Sequence, residues 1–303
     1  MSTEIGFIGL GAMGQGMALN LQRKGFSLVV YDLRQQPVAK LTAAGARAGE
    51  SVADVARQCR IVVTMLPGSA EVEQIILGDD GVLANSASGT LVMDMSTVDP
   101  ATTDALETRL RQSGMRFVDA PVGRLASHAQ AGESLFMVGA SPEDFIVVRP
   151  LLEAMGTTIH HCGAPGTGIR TKLVNNFLAI GLCQMNAEAL TLAARFGLDL
   201  ETTLAVLGGT TATNGQLRLN YTSKVLRGDV EPGFTVDLAH KDMSLVVNAA
   251  NAASVPLPSA AIVRESLSLA RAGGFGNKDF SALLDHWCER ARVAPVRLKG
   301  EHR

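Results

Sequence analysis

Charge of one sign is what this sequence most clearly lacks. Its 27 Lys and Arg face 29 Asp and Glu, for a formal net charge of −2. That balance gives no electrostatic reason to expect nucleic acid or an anionic membrane surface as a partner. Cysteine is scarce as well: Cys59, Cys162, Cys183 and Cys288 stand far apart, with no Cys-x-x-Cys pair. This argues against a zinc site and a disulfide framework, so no metal is expected and a reducing cytosol fits best. No uninterrupted apolar run approaches the roughly 20 residues that a membrane span needs. Nor does the N-terminus carry a basic segment followed by an apolar core and a cleavage site. The expectation is a soluble, cytoplasmic protein.

What is present is ample apolar material: 47% of 303 residues are hydrophobic and 18% charged, enough for a generous core. In the first half, short apolar runs alternate with helical segments. Ile5 to Gly9, Leu28 to Asp32, Ile61 to Leu66, Leu91 to Ser96, Phe117 to Val122, Leu135 to Val138 and Thr158 to His161 read as strands. Such alternation predicts an α/β, doubly wound, mostly parallel sheet covered on both faces. From about Pro165 to Phe196 the spacing predicts one long helix, and only helical periodicity follows. The predicted organisation is a sheet domain over 1–163, an all-helical domain over 164–296 and a frayed polar tail over 297–303.

The sharpest motif is Gly9-Leu10-Gly11-Ala12-Met13-Gly14, which follows the first strand and opens the first helix. A Gly-x-Gly-x-x-Gly run is weak alone; in this context it is the fingerprint of a Rossmann-type dinucleotide site. Gly9 permits the tight turn, Gly11 lets backbone approach a pyrophosphate, and Gly14 lets helix and strand pack closely. The helix N-terminus then offers N–H groups and partial positive charge to the phosphates. Asp32, at the end of the second strand, is placed to accept from the adenosine ribose hydroxyls and to repel a 2′-phosphate. NAD is therefore expected over NADP, although Arg34 nearby is of the type that can hold a 2′-phosphate. Met65, Leu66, Pro67 and Thr97 also sit at strand ends, where the cofactor crevice should lie. The Thr97 hydroxyl suits a ribose, and capping of the helix that opens at Pro100 is a compatible use.

Gly168, Lys172 and Asn176 are spaced four apart in the long helix and share a face. Spacing alone fits a solvated helix lysine. The nucleotide fold that runs into this same helix is what points to a proton donor beside a substrate-holding amide.

At this point the chain resembles the β-hydroxyacid dehydrogenases along nearly its whole length. The likeness rests on Gly6 to Gly14, Met65-Leu66-Pro67, Asp94-Met95-Ser96-Thr97, Asp119-Ala120-Pro121-Val122, Gly168 to Asn176 and Leu238-Ala239-His240-Lys241-Asp242. It implies that Lys172 is the general acid/base, that Asn176 with Asn175 positions substrate, and that Phe234 and Lys241 close the nicotinamide pocket. It also implies a homodimer or homotetramer paired through the helical domain.

One departure stands inside the pattern. The family follows Pro-Val with Ser-Gly-Gly, whereas here Gly123-Arg124-Leu125 follows Val122. The resemblance places a guanidinium where the substrate's anionic end should lie, beside the Gly123 backbone. Combined with Gly166 to Arg170 and Lys172 to Asn176, this resembles the branch that reduces a three-carbon sulfonate aldehyde with NADH. Other small acidic aldehydes (tartronate semialdehyde, the product of 3-hydroxyisobutyrate, succinic semialdehyde) stay open. So do a use of Arg124 as a partner for Glu133 and a non-catalytic nicotinamide-binding role. The role of Arg170 is open too.

Overall fold

A computed structural model describes residues 4–299. The chain divides into two compact units, Met1–Lys172 and Leu173–Arg303. The division falls inside the long helix, whereas the sequence pattern placed it near Gly163. The helix's first turn is fastened to the sheet, which is why it groups with the first unit.

In the first unit the described residues form a sheet of β1 (Ile5–Ile8), β2 (Leu28–Tyr31), β3 (Arg47–Ala48), β4 (Ile61–Thr64), β5 (Leu91–Asp94), β6 (Arg116–Asp119), β7 (Val122–Gly123), β8 (Ser134–Gly139) and β9 (Gly156–Gly163). Its order is β3-β2-β1-β4-β5-β6-β8-β7, with β9 on β8. β1 to β6 are parallel, β8 runs antiparallel to β6 and β7, and β9 runs parallel to β8. Alternate residues of one strand reach opposite faces: Phe7, Val30 and Met93 enter one core, Ile8, Val29 and Val92 the other. Both faces being covered, the strands read as continuous apolar runs.

The expected strand over Phe117 to Val122 is in fact two. β6 stops at Asp119, and β7 begins at Val122 and pairs with β8 instead. Pro121 lies between them, and without an N–H it cannot extend the ladder. Of the helices, α1 (Gly14–Arg23) follows β1 and α2 (Pro100–Gln112) follows β5. The Asp99 side chain caps α2 by accepting from Ala101 N at 2.9 Å, so capping falls to Asp99 and not Thr97.

The long helix, α3, spans Thr167–Arg195. Among the described residues it is the one helix long and apolar enough to cross a membrane by length and composition, and half of that window is buried within the protein. In the second unit, Leu173, Ile180, Ala187 and Leu190 of α3 pack with Tyr221, Met243, Leu267 and Leu284. α4 (Val236–Ala252) directs Val236, Ala239, Asp242, Met243 and Val246 to the same interior. The tail is fastened where fraying was expected. Arg297 forms a two-pronged pair with Asp285 at 2.7 and 2.8 Å, Leu298 N donates to Leu226 O, and Lys299 meets Asp199. Residues 300–303 of that tail lie outside the described residues.

Candidate active site

The order β3-β2-β1-β4 puts the point where the chain reverses direction across the sheet between β1 and β4, the usual place of a ligand crevice. The turn after β1 fits that use. Gly9 has φ +95°, and a Cβ there would overlap the Met65 carbonyl oxygen at the end of β4. A Cβ on Gly14 would overlap the Gly9 carbonyl oxygen, whereas one on Gly11 would meet nothing within 4 Å. Gly9 and Gly14 thus close the turn, and Gly11 faces open space where a pyrophosphate can approach. At the start of α1, which runs on from Leu10, Ala12 and Met13, no side chain caps the helix and no acidic residue sits in the first turn. Its N–H groups and dipole are available to phosphates, so the residues present fit a dinucleotide.

Asp32 is already organised. Its carboxylate accepts from Leu10 N at 2.7 Å and from Arg34 N at 2.9 Å, and Arg34 Nε lies 3.2 Å away. Burial alone would raise this carboxyl, but the bonds from Arg34 and Leu10 outweigh it and hold it below the usual range.

Two further strand-end carboxylates, quoted in the sequence motifs but given no role there, build the rest of this face. Asp94 Oδ1 accepts from Thr64 Oγ1 at 2.7 Å and from Ser96 Oγ at 2.6 Å. Ser96 Oγ in turn accepts from Leu66 N at 2.9 Å. The Met65-Leu66-Pro67 loop and the Ser96-Thr97 loop are thereby set by one buried acid. Asp119, in register with Asp94 on the next strand, accepts from Gly166 N at 2.6 Å and Ile169 N at 2.7 Å at the start of α3. Lys172, only 9% exposed, donates from Nζ to the Val122 carbonyl at 2.7 Å. Arg170 is fixed on Asp104 of α2 through bonds of 2.9 and 2.7 Å, which raises its own pKa and makes it an anchor of α3.

In the second unit, Asn176 sits one turn beyond Lys172 on α3 and is 5% exposed. Its Nδ2 donates to Asp242 Oδ2 at 2.7 Å, while its Oδ1 accepts from Asn175 Nδ2 at 3.1 Å. Lys241 pairs with the other Asp242 oxygen at 3.0 Å. Asp242 is thus the residue that holds Asn176. An acid on the buried face of α4 was the signal for it. Phe234 packs edge-on against Phe280, with ring centroids 5.3 Å apart.

Gly123 is buried in β7, with Leu135 closing over it. Arg124 has φ +71°, a left-handed conformation rare for any residue but Gly, Asn or Asp. The side chain is exposed, and its guanidinium donates to the Glu133 carbonyl and to the Thr157 and Thr158 hydroxyls at 3.1 and 3.2 Å. It meets the Glu133 backbone, not the carboxylate.

Comparison with known proteins agrees with this geometry. Residues 4–163 match the family described as the NAD binding domain of 6-phosphogluconate dehydrogenase. Residues 166–287 match the one described as NAD-binding of NADP-dependent 3-hydroxyisobutyrate dehydrogenase. The chain is an NAD(P)-binding oxidoreductase that acts on CH–OH groups. It is 39% identical to 3-sulfolactaldehyde reductase of Escherichia coli over 93% of this chain and 94% of that one. It is 38% identical to 2-(hydroxymethyl)glutarate dehydrogenase of Eubacterium barkeri over 97% of each. The structure of Mycobacterium tuberculosis 3-hydroxyisobutyrate dehydrogenase with L-serine superposes with a TM-score of 0.86 at 29% identity, over 94% of this chain and 99% of that one. The chain belongs to the β-hydroxyacid dehydrogenase family.

Proposed function

We propose that this protein reduces a small anionic aldehyde, and that a three-carbon sulfonate aldehyde, 3-sulfolactaldehyde, is its substrate. The observation that carries the reading is the buried Lys172, whose ammonium is held 2.7 Å from Val122 O, next to Gly123 and Arg124. The nicotinamide, when bound, supplies the hydride. Lys172 donates a proton to the aldehyde oxygen and takes it back in the reverse direction. Asn176, steadied by Asp242, holds the substrate's hydroxyl end with Asn175. Gly123 N–H and Arg124 hold the sulfonate. Phe234 and Lys241 are the further cofactor residues of this proposal.

Two things favour the sulfonate. Arg124 occupies a left-handed position that suits glycine at a cost of roughly 1–2 kcal/mol, and strain of this kind collects at functional sites. A relative at 39% identity is named for 3-sulfolactaldehyde. A second reading has its own observation: the guanidinium is already bonded to Glu133, Thr157 and Thr158. On that reading Arg124 ties β7 to the sheet edge, and a carboxylate aldehyde is the substrate.

The test is steady-state reduction of 3-sulfolactaldehyde, tartronate semialdehyde and succinic semialdehyde with NADH. The sulfonate is expected to lead in kcat/KM by about 100-fold, worth about 2.7 kcal/mol. Arg124→Gly should erase that lead while raising the melting temperature. A carboxylate aldehyde in first place would end the sulfonate reading and leave the dehydrogenase intact. We propose NAD as the cofactor because the Asp32 carboxylate would repel a 2′-phosphate and Arg34 is tied to it. NADPH matching NADH in the same assay would overturn that.

We place the protein in the cytoplasm on the strength of its four unpaired cysteines, and propose that the helical unit pairs with a second copy. α3 is apolar on more than one face: Leu173, Ile180 and Ala187 are buried, while Leu178, Met185 and Leu192 are exposed at the same spacing, with exposed Phe196 just past its end. A helix apolar all round is normally covered. Sedimentation should show a dimer or tetramer that Met185→Glu with Leu192→Glu dissociates. A monomeric wild-type protein would refute the pairing.

A further inference from the structure

We propose that Asp119 is a positioning residue of the reaction: from the end of β6 it caps the first turn of α3 and so sets the height at which Lys172 presents its ammonium. The proposal rests on the reading of Lys172 given above.

The geometry is unusually local for groups so far apart in sequence. Asp119 is 2% exposed, and each of its oxygens accepts one amide hydrogen from the opening of α3. α3 supplies no acidic residue of its own in that turn, so the charge its N-terminus favours comes from the sheet. The carboxylate is clamped. A Cβ on Gly139 would overlap Asp119 Oδ1, and one on Gly168 would come within 2.8 Å of both Oδ2 and the Asp119 carbonyl. Three residues after Asp119, the Val122 carbonyl receives Lys172 Nζ. One short segment therefore grips the helix at residues 166 and 169 and again, a turn later, at the lysine tip. If the helix slides or rotates, both grips fail together. The Arg170–Asp104 pair holds the outer side of the same turn, but both its side chains are half-exposed and screened.

The chemistry of the cap argues against a purely stabilising role. Burial pushes the Asp119 carboxyl up to about 6 in spite of the Gly166 and Ile169 bonds, with Asp94 adding to the rise. An acid that titrates above its ordinary 3.8 when folded makes the fold less stable in its ionised form, the change running between 3.8 and about 6. At neutral pH the ionised cap is thus a burden on stability, which fits a group kept for placement. The charged groups around it are Asp94 on β5 and, on α3, Arg170 and Lys172 a turn further on. Asp104 of α2 is occupied by Arg170, and His161 of β9 is bonded to the Ala140 carbonyl.

The experiment is Asp119→Asn in the full chain, assayed with NADH and with 3-sulfolactaldehyde and tartronate semialdehyde in parallel from pH 5 to 9. We expect kcat to fall roughly 10- to 100-fold above pH 7, as a slight misplacement of a catalytic group does. NADH affinity should be unchanged, and the melting temperature should shift little, because the accepted bond lost at the Asn nitrogen offsets the relief of the buried charge. The wild type should lose kcat as the pH falls through about 6, and the variant should lack that acid limb. A variant with wild-type kcat and the same acid limb overturns the proposal, as does one that loses NADH binding and melts early. Hydrogen exchange on the wild-type protein tests the cap without any variant. Protection of the Gly166 and Ile169 amides should drop below pH 6 while the middle of α3 stays protected, and protection indifferent to pH overturns the cap alone. Turnover retained by Lys172→Ala, with those amides still pH-sensitive, would leave the cap standing and overturn its catalytic purpose.

Discussion

Lys172→Ala is expected to lower kcat by roughly 10²- to 10⁴-fold, the usual contribution of a placed proton donor, while NADH still binds. Two observations set that size. The side chain is 9% exposed, so an ammonium has been taken largely out of water, which no stability argument favours without a partner. Its Nζ is bonded to a main-chain carbonyl, whose position does not depend on any rotamer. The lysine tip is thus preorganised before substrate arrives. Lys172→Arg should fail almost as badly, because a guanidinium holds its proton too tightly and is too broad for the space. NADH titration of the alanine variant by fluorescence, beside its turnover, decides the matter. Turnover within about tenfold of wild type, with binding intact, would remove Lys172 from the mechanism.

Gly9→Ala should do comparable damage by a different route. The new Cβ overlaps the Met65 carbonyl oxygen and comes 3.0 Å from Leu66 Cδ2, on a backbone with φ +95°. Adding roughly 1–2 kcal/mol for the backbone conformation to about 1–3 kcal/mol for the overlap gives a loss of about 2–5 kcal/mol. Because Met65 and Leu66 are among the residues proposed for the cofactor, NADH affinity should fall with the melting temperature. Gly11→Ala is the matched control. Its Cβ meets nothing within 4 Å, so the fold should melt as wild type does while NADH binds more weakly. If Gly11→Ala leaves NADH affinity untouched, the pyrophosphate does not approach there.

The contrast between these two glycines shows what kind of information the sequence carried. Gly9 to Gly14, Asp32 and the long helix with Lys172 and Asn176 could be singled out because a turn, a strand end and a four-residue helical spacing are local patterns. What holds Asp32, Lys172 and Asn176 in place lies 22, 50 and 66 residues away. Asp94, Asp119 and Asp242 appeared in the sequence motifs without roles. Their partners lie 30, 47 or more, and 66 residues away, and only strand register or helix packing brings them together. The break of the β6 strand at Pro121 was readable from proline chemistry, yet the apolar run around it masked the signal. The anchoring of Arg297 on Asp285 was not readable, since an exposed-looking tail and a fastened one have the same composition. The left-handed backbone at Arg124 was likewise hidden, because residue type predicts the opposite.

That last feature has a genetic side. Several glycine codons become arginine codons by a single base change. The backbone at position 124, with φ +71°, already has a conformation that glycine adopts freely. An ancestor with glycine there could therefore acquire the guanidinium in one mutational step, without rebuilding the loop, for roughly 1–2 kcal/mol of stability. The step back is equally short. On the sulfonate reading, one codon position would then separate a sulfonate-reading loop from a glycine loop, which is why the Arg124→Gly assay carries more weight for the substrate than overall identity does.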